Sequence, residues 1–501
     1  MRVLIRADAS PTIGSGHIAR CLTLARVLRG QGTHVAFACR SLSGHRLQAL
    51  ATEGFATFAL PDLYPDEDPL QAIESLLPWQ ADITALEQAL SGQPGFDWII
   101  VDHYGLDHHW QTAARRFAPR IMALDDLATR TYSVDLLLNQ NLSGTRAAYA
   151  GLLLEHCQTL LGPRYALLRD EFCGRAIEPQ PKVRRVLVNF GGFDAAMQTH
   201  HAMRALADFH DLDVDFVAGA DNPAWAQMQV MVASRPRWRL HSFVGNFHQL
   251  MFEADLFIGA GGGTSWERAA MGLPTICIAV SNNQQANGEV MATFGAHVYL
   301  GPREVVSVEQ LRQAIGFVAD NHGMRCSLAQ RSRQLVDGLG AKRVAATLAG
   351  ALLQIRPATQ ADAQLLFDGR NAEAVRRVSL DTSIIDWDRH CQWLQASLVN
   401  AQRLLLIGET TDGPVGALRY DLQGTEALVS IYLFESRLGL GWGRALLAHG
   451  EAFVTTHWPQ LRTLTAQILP GNPASLNLFR QAGFIQSTCV FTRVLKDHPH
   501  E

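Results

Sequence analysis

Short apolar runs alternate with longer helix-periodic stretches from the start of the chain, and no other feature narrows the fold as far. Residues 3–7 read VLIRA, 16–30 GHIARCLTLARVLRG, 34–39 HVAFAC and 43–54 SGHRLQALATEG. Strand, helix, strand, helix in that order predicts a parallel sheet covered by helices. WIIVD (98–102), RIMALDD (120–126) and DLLLN (135–139) continue the series. After the proline-bearing break IEPQPKVRR (177–185), VLVNF (186–190), VDFVA (214–218), LFIGA (256–260) and TICIAV (275–280) form a second one. The expected class is α/β, with two Rossmann-like domains at 1–155 and 156–350. Ligands of such sheets bind outside the carboxyl ends of the strands, so the strand-end loops bordering the cleft are where chemistry is to be sought.

From residue 355 the order changes. IRPATQADAQLLF reads as strand, turn and helix, and RLLLIGE (403–409) with PVGALRYDL (414–422) as a hairpin leading into ALVSIYLF (427–434). A glycine turn and helix, RLGLGWGRALLAHGEAFV (437–454), precede a strand at 463–469, a helix at 472–484 and a last strand at 488–495. This α+β pattern marks a separate domain, 355–497.

In a chain of 501 residues, 48% hydrophobic, several cores can be buried. A net charge of -4 without a dense Lys/Arg stripe argues against nucleic acid or an anionic membrane as partner and favours a small molecule. The eight cysteines are scattered, without CxxC or zinc spacing, so reduced thiols and a cytoplasmic setting are expected. The opening MRVLIRAD is strand-like instead of a basic and then apolar leader, and no apolar run approaches the ~20 residues that span a bilayer. Neither export nor membrane insertion is expected.

Asp8 to Ala25, DASPTIGSGHIARCLTLA, carries Gly14 and Gly16 into His17 at the start of a helix. Freed amides at a helix start form an anion site, and glycines permit close approach; a tight turn with a surface histidine fits as well. Gly14, Gly16 and Ala19 also fit the dinucleotide pattern GxGxx(G/A), but the loop is long and strand two ends in Cys39-Arg40-Ser41 without an acidic residue, which disfavours NAD and leaves Arg40 to suit NADP. A second glycine loop, GAGGGTSWERAAMGLPTICIAV (259–280), places Gly261, Gly262, Gly263, Thr264 and Ser265 where a phosphate would sit. Glu267 there either accepts from a ribose diol or complements the helix dipole. With SNNQQANGE (281–289), and hence Asn283, the segment resembles the nucleotide-sugar site of GT-B glycosyltransferases.

The blocks RADASPTIGSGHIARCLTLA, VDHYGLD (101–107), ALDDLA (123–128), LLLNQN (136–141), LGPRYALLRDEF (161–172), NFGGFD (189–194) and GGGTSWERAAMGLP together resemble the UDP-2,4-diacetamido-2,4,6-trideoxy-β-L-altropyranose hydrolases of pseudaminic acid biosynthesis. That resemblance implies metal-independent hydrolysis with inversion, and His17 as base on water. The chemistry agrees: UDP is a stable leaving group, so one base suffices where ordinary glycosidases use two carboxylates. An imidazole, of ordinary pKa ~6.5, contributes about 10²–10⁴-fold in that role; a protonated His17 beside the phosphate would instead act electrostatically. Tyr104 is assigned to sugar contact. Asn139 and Asn141 either bind acetamido groups or cap the following turn. Asp102, His103, His108 and His109 could group around a metal, but the resemblance calls for none.

RLGLGWGRALL (437–447) resembles the acetyl-CoA loop of GNAT acyltransferases, (Q/R)xxGx(G/A), whose amides hold the pyrophosphate. Leu438 stands at the Gln/Arg position beside Arg437, Gly441 and Gly443 match the glycines, and Gly439, Arg444 and Asn472 complete the expected acetyl-CoA contacts. Phe479 replaces the tyrosine that often protonates the thiolate. The domain is expected to N-acetylate a UDP-linked 4-amino sugar, the step before hydrolysis. The competing reading is a GT-B glycosyltransferase with a non-catalytic acetyl-CoA-binding module.

Overall fold

The computed structural model describes residues 1–10, 13–63, 78–191, 194–242, 244–410 and 412–486. Two compact units result, Met1–Ala345 and Ala346–Glu501. The strand expected at 488–495, two residues of the NFGGFD block (192–193) and two of the first glycine loop (11–12) lie outside the described residues.

In the first unit, β1 (Arg2–Ala7), β2 (His34–Arg40), β3 (Ala56–Leu60), β4 (Trp98–Asp102), β5 (Arg120–Leu124), β6 (Leu136–Asn139) and β7 (Gln158–Leu161) form a sheet in the order β3-β2-β1-β4-β5-β6-β7. Every pairing is parallel. The helices α1 (Gly16–Gly30), α2 (Leu47–Thr52), α3 (Trp79–Ala89) and α4 (His108–Ala114) supply the crossovers. Strand β7 extends this sheet past residue 155, where the sequence boundary was set.

A second parallel sheet follows, built from β8 (Arg185–Asn189), β9 (Asp213–Val217), β10 (Trp238–His241), β11 (Leu256–Ala260), β12 (Thr275–Ala279) and β13 (Val298–Pro302) in the order β10-β9-β8-β11-β12-β13. Its helices are α5 (Gln198–Leu206), α6 (Trp225–Ala233), α7 (Phe247–Glu253), α8 (Thr264–Met271), α9 (Asn282–Phe294), α10 (Val308–Asp320), α11 (His322–Leu335) and α12 (Gly340–Gly350). Both halves are Rossmann-like, each with a cluster of buried aliphatic side chains along its central strands. In each, strand order reverses beside the first strand, between β1 and β4 and between β8 and β11, which opens a crevice at their carboxyl ends.

Helix α1 shows how packing sets up chemistry. Ile18, Cys21, Leu24, Ala25 and Leu28 are buried on one stripe, and each fully buried leucine contributes about 1.5–3 kcal/mol. That anchors the helix with His17 and Arg20, an i, i+3 pair, beside the stripe.

The second unit is α+β. Strands β14 (Gln354–Pro357), β15 (Arg403–Thr410), β16 (Gly413–Gln423), β17 (Glu426–Leu433) and β18 (Thr463–Thr465) make one sheet, antiparallel except for the β17–β18 pair. Helices α13 (Ala363–Asn371), α14 (Glu373–Arg376), α15 (Trp387–Leu398), α16 (Trp442–His457) and α17 (Pro473–Gln481) complete it. The strand expected over 463–469 stops at Thr465, because its pairing with β17 covers only Glu426, Ala427 and Leu428. The glycine turn and helix expected over 437–454 are both present: Gly439 and Gly441 adopt φ of 73° and 90° in the turn, and α16 begins at Trp442. No helix among the described residues is long and apolar enough to cross a membrane.

Candidate active site

The crevice between β1 and β4 holds the first site. Register pairs Ala7 with Asp102, so the chain end of β1 and the carboxylate closing β4 lie level. Between β1 and α1, Gly14 takes a φ of 75° and its amide donates to the Ser10 carbonyl at 2.8 Å; this turn delivers His17 as the second residue of α1. Gly16 needs no special φ but faces open space.

His17 Nδ1 lies 2.6 Å from Asp102 Oδ1. Asp102, fully buried, also accepts from Arg20 Nε and Nη2, each at 2.7 Å. Arg20 Nη1 reaches Asp126 Oδ2 at 2.7 Å; Tyr104 Oη donates to the same oxygen at 2.7 Å, and Asn141 Nδ2 to Asp126 Oδ1 at 3.0 Å. The Tyr104 ring meets the imidazole edge-on, centroids 4.8 Å apart. Burial alone would raise the Asp102 pKa, yet Arg20 and His17 outweigh it and hold the carboxyl well below its usual range. Burial raises the Cys21 thiol, which stays protonated and points at Asp102 Oδ2 from 3.4 Å. A carboxylate that accepts from Nδ1–H leaves the free lone pair of the imidazole at Nε2. His17, Asp102 and Tyr104 line a small pocket together with Asp8, Ile13 and His103.

Several expectations need correction. Asn139 is buried and hydrogen-bonded internally: its Oδ1 accepts the Asn141 amide at 2.9 Å and its Nδ2 donates to Tyr149 Oη at 2.9 Å, which favours the turn-capping alternative over an acetamido contact. Arg40 does not suit a 2'-phosphate, because its guanidinium is buried on Asp82 and on the Pro61 carbonyl. His108 and His109 sit apart from the pocket with Asp107, whose carboxylate caps α4 through the His109 amide; ligand atoms of these three come within 4.8 Å of one another.

In the second crevice the loop after β11 enters α8. Gly261 gives its amide to Gln284 Oε1 at 3.0 Å, which removes it from the expected phosphate donors. Ser265 is buried, its amide on the Gly262 carbonyl and its hydroxyl accepting from Arg268 at 2.9 Å, so it too turns inward. Gly262, Gly263 and Thr264 stay on the accessible lip. Behind them Arg268 is buried; its guanidinium donates to Ala260 O and to Thr264 Oγ1 and lies 4.3 Å over the Phe257 ring. Burial lowers its pKa to about 10, against smaller upward pulls from Cys277 and Glu267. Glu267 is 3.7 Å from Arg169, and burial raises its carboxyl more than Arg169 and Arg268 lower it. Asn283 is exposed at the start of α9 and accepts from Ser281 Oγ at 2.6 Å. The two halves touch where the Leu142 amide donates to Asn287 Oδ1 at 3.0 Å.

In the second unit Gly439 and Gly441 lead into α16, Gly443 is buried as its second residue, and Leu438 and Arg444 are exposed beside them. Arg437 donates to the Asp412 carbonyl at 2.9 Å and lies 5.7 Å over Trp442. Asn472 caps α17 through the Ser475 amide. Phe479 is buried edge-on against Phe484. Beyond Leu428, β17 runs to Leu433 without β18 beside it.

Sequence reasoning missed Arg20, Asp126, Gln284 and Arg268, and did not join Asp102 to His17. Arg20 and Arg268 had local signals, the i, i+3 spacing of Arg20 from His17 and the i, i+4 spacing of Arg268 from Thr264; Asp126, Gln284 and the Asp102–His17 pairing depend on contacts between distant segments.

Residues 372–484 match the family described as Acetyltransferase (GNAT) family. SpsG, a spore coat polysaccharide biosynthesis protein of Bacillus subtilis, is 29% identical over 192 residues, 37% of this chain; the chain spans 57% of SpsG. UDP-2,4-diacetamido-2,4,6-trideoxy-β-L-altropyranose hydrolase of Campylobacter jejuni is 25% identical over 299 residues, which cover 60% of this chain and 98% of that protein. Among solved structures, the glycotransferase of kitacinnamycin superposes with a TM-score of 0.53 at 17% identity, over 69% of this chain and 98% of its own. The chain therefore joins a GT-B-like pair of Rossmann-like halves, similar to the UDP-sugar hydrolase of Campylobacter jejuni, to a C-terminal GNAT acetyltransferase domain.

Proposed function

We propose that the first unit hydrolyses UDP-2,4-diacetamido-2,4,6-trideoxy-β-L-altropyranose to free sugar and UDP, with inversion. The observation that carries this is the His17–Asp102 pair, 2.6 Å apart, in a pocket of its own. Water's oxygen bonds to the anomeric carbon as the bond from that carbon to the phosphate oxygen breaks. His17 Nε2 takes the water's proton, Asp102 steadies the imidazolium, and UDP leaves with the bonding electrons. Tyr104, Asn141 and Asp126 keep Arg20 and the pair aligned. Gly14 and Gly16 shape the loop beside the reacting carbon. Gly262, Gly263 and Thr264, with the buried Arg268 cation behind them, form the side that holds the diphosphate, Glu267 faces the ribose, and Asn283 borders the same cleft. No step requires a metal.

The second unit, in this reading, transfers acetyl from acetyl-CoA to the 4-amino group of the UDP-linked precursor: the thioester C–S bond breaks, a C–N bond forms, and the amine's proton ends on the departing thiol. Gly439, Gly441, Gly443 and Arg444 border the pyrophosphate, with Leu438 and Asn472 at the edges of that site. Phe479 supplies no proton, and a thiolate needs less acid assistance than an alkoxide.

Incubating the protein with the UDP-diacetamido sugar, without acceptor, is expected to yield UDP and free sugar, and with acetyl-CoA and the UDP-4-amino sugar to yield the acetylated product. UDP release only when a second hydroxyl compound is added would favour the glycosyltransferase. Acetyl-CoA binding without transfer would make the second unit a binding module.

A further inference from the structure

Asp8 follows β1 and takes no part in the His17–Asp102 pair. Its side chain is 1% exposed. Oδ1 accepts from Arg6 Nη1 at 2.6 Å and from the Arg40 amide at 2.7 Å. Oδ2 has no hydrogen-bond donor among the described residues, although Asp8 lines the pocket that holds His17. The nearest candidate, His103 Nε2, stands off at 3.4 Å. Gly105 donates its amide to His103 Nδ1 at 2.9 Å, so the ring proton sits on Nε2, the side turned toward Asp8. Burial keeps the His103 imidazole below its ordinary pKa, against the pull of Asp8, and it is neutral at pH 7. Burial works to raise the Asp8 carboxyl, but Arg6 and His103 outweigh it, so the group is a carboxylate.

The carboxylate is also rigid. Arg6, fully buried, holds Asp8 with one nitrogen and Asp82 with two others, at 3.3 and 2.8 Å; Trp110 Nε1 donates to Asp82 at 2.8 Å, and Arg40 closes the group on the same carboxylate. A charged oxygen fixed this firmly and left with one long contact, His103 Nε2–H at 3.4 Å, is under-satisfied at a cost above that of an ordinary lost hydrogen bond. It is preorganised for a closer donor.

We propose that Asp8, oriented by Arg6 and flanked by His103, recognises an amide N–H on an acylamino substituent of the sugar, and so sets which sugars enter the His17 pocket. This rests on the reading of that pocket as a sugar site. A carboxylate built to accept from such a group rejects an isostere that lacks it, because Oδ2 is then buried unpaired.

The test is calorimetric binding of an analogue of the UDP-diacetamido sugar with methylene in place of the anomeric oxygen, compared with two versions in which one amide is replaced by an ester. In the wild-type protein one ester is expected to bind roughly 10- to 100-fold more weakly than the diamide. Asp8→Asn is expected to bring that ratio within threefold; should it not fold, His103→Asn, which alters the flank and leaves Arg6 and Asp82 untouched, is expected to lower the ratio. Esters and diamide binding the wild-type protein within threefold, a ratio unchanged in Asp8→Asn, or no gain over UDP alone would overturn the proposal. UDP release from the hydrolysable sugar is followed in parallel: no release with the binding preference intact would refute the hydrolase and leave Asp8 recognition standing.

Discussion

Replacing Asp102 by asparagine separates the charge of the pair from its shape. His17 Nδ1 is 2.6 Å from the carboxylate and 3.4 Å from Arg20 Nη2. At an effective dielectric of ~20, an imidazolium there gains roughly 6 kcal/mol from Asp102 and loses roughly 5 kcal/mol to Arg20. The two nearly cancel, and Asp126 holds the far side of Arg20 at 2.7 Å. Asparagine deletes the attraction, so the ring must take its proton beside Arg20 with only the more distant Asp126 to offset that cation. Since a general base contributes about 10²–10⁴-fold, kcat for UDP release should fall by about 10²–10³-fold. Near-native volume and the remaining Arg20–Asp126 contact should keep the chain folded. The decisive arm is the double variant Asp102→Asn with Arg20→Gln: removing the stranded cation should recover about tenfold over the single variant. A single variant within threefold of wild type would show that His17 does not act through Asp102. A double variant slower than the single would refute the electrostatic reasoning.

Three further outcomes are expected. Gly441, at φ 90° before α16, should not tolerate alanine: about 1–2 kcal/mol of left-handed strain predicts an acetyl-CoA KM raised at least fivefold in transfer assays, with UDP release unchanged. Phe479→Tyr buries a hydroxyl beside Phe484, so melting temperature should drop while acetyl transfer changes less than threefold; a large gain in rate would mean that position 479 reaches the thiolate. His297, buried with Nε2–H on the Gly288 carbonyl, is pushed down to about 4, chiefly by burial. The unfolded ring binds its proton first as pH falls, so stability present above pH ~6.5 is lost toward pH ~4, about 2 kcal/mol of it between pH 7.5 and 5. Urea unfolding of wild type and His297→Gln at those two pH values should differ by that amount, and equal slopes would exclude it.

The central strands were legible and the edges were not. Continuous apolar runs mark β1, β4, β8 and β11, which are buried on both faces. The strands that escaped notice, β3, β7, β10 and β13, are the outermost of the two parallel sheets. An edge strand has one neighbour and a half-exposed face, so Ala56–Leu60 carries only one buried residue and Val298–Pro302 none. The same physics explains the boundary beyond residue 155: Gln158–Leu161 belongs to the first sheet through backbone pairing with β6, which composition does not announce.

Within the site, strand-end position was readable but side-chain direction was not. Asn139 and Asn141 looked equivalent; the chain leaves the strand after Asn139, whose side chain folds onto the Asn141 amide while Asn141 reaches Asp126. Gly261 and Ser265 follow the same rule in the second crevice, where Gln284, arriving from α9, occupies the amide that spacing alone assigned to phosphate. Short-range pattern therefore finds the loops that can hold an anion, because helix starts and glycines are local features. Which amides remain for the ligand depends on what a distant helix has already bound. Asp8 is the converse case: both its neighbours in sequence and its neighbours in space satisfy one oxygen and leave the other, and only the folded chain separates the two.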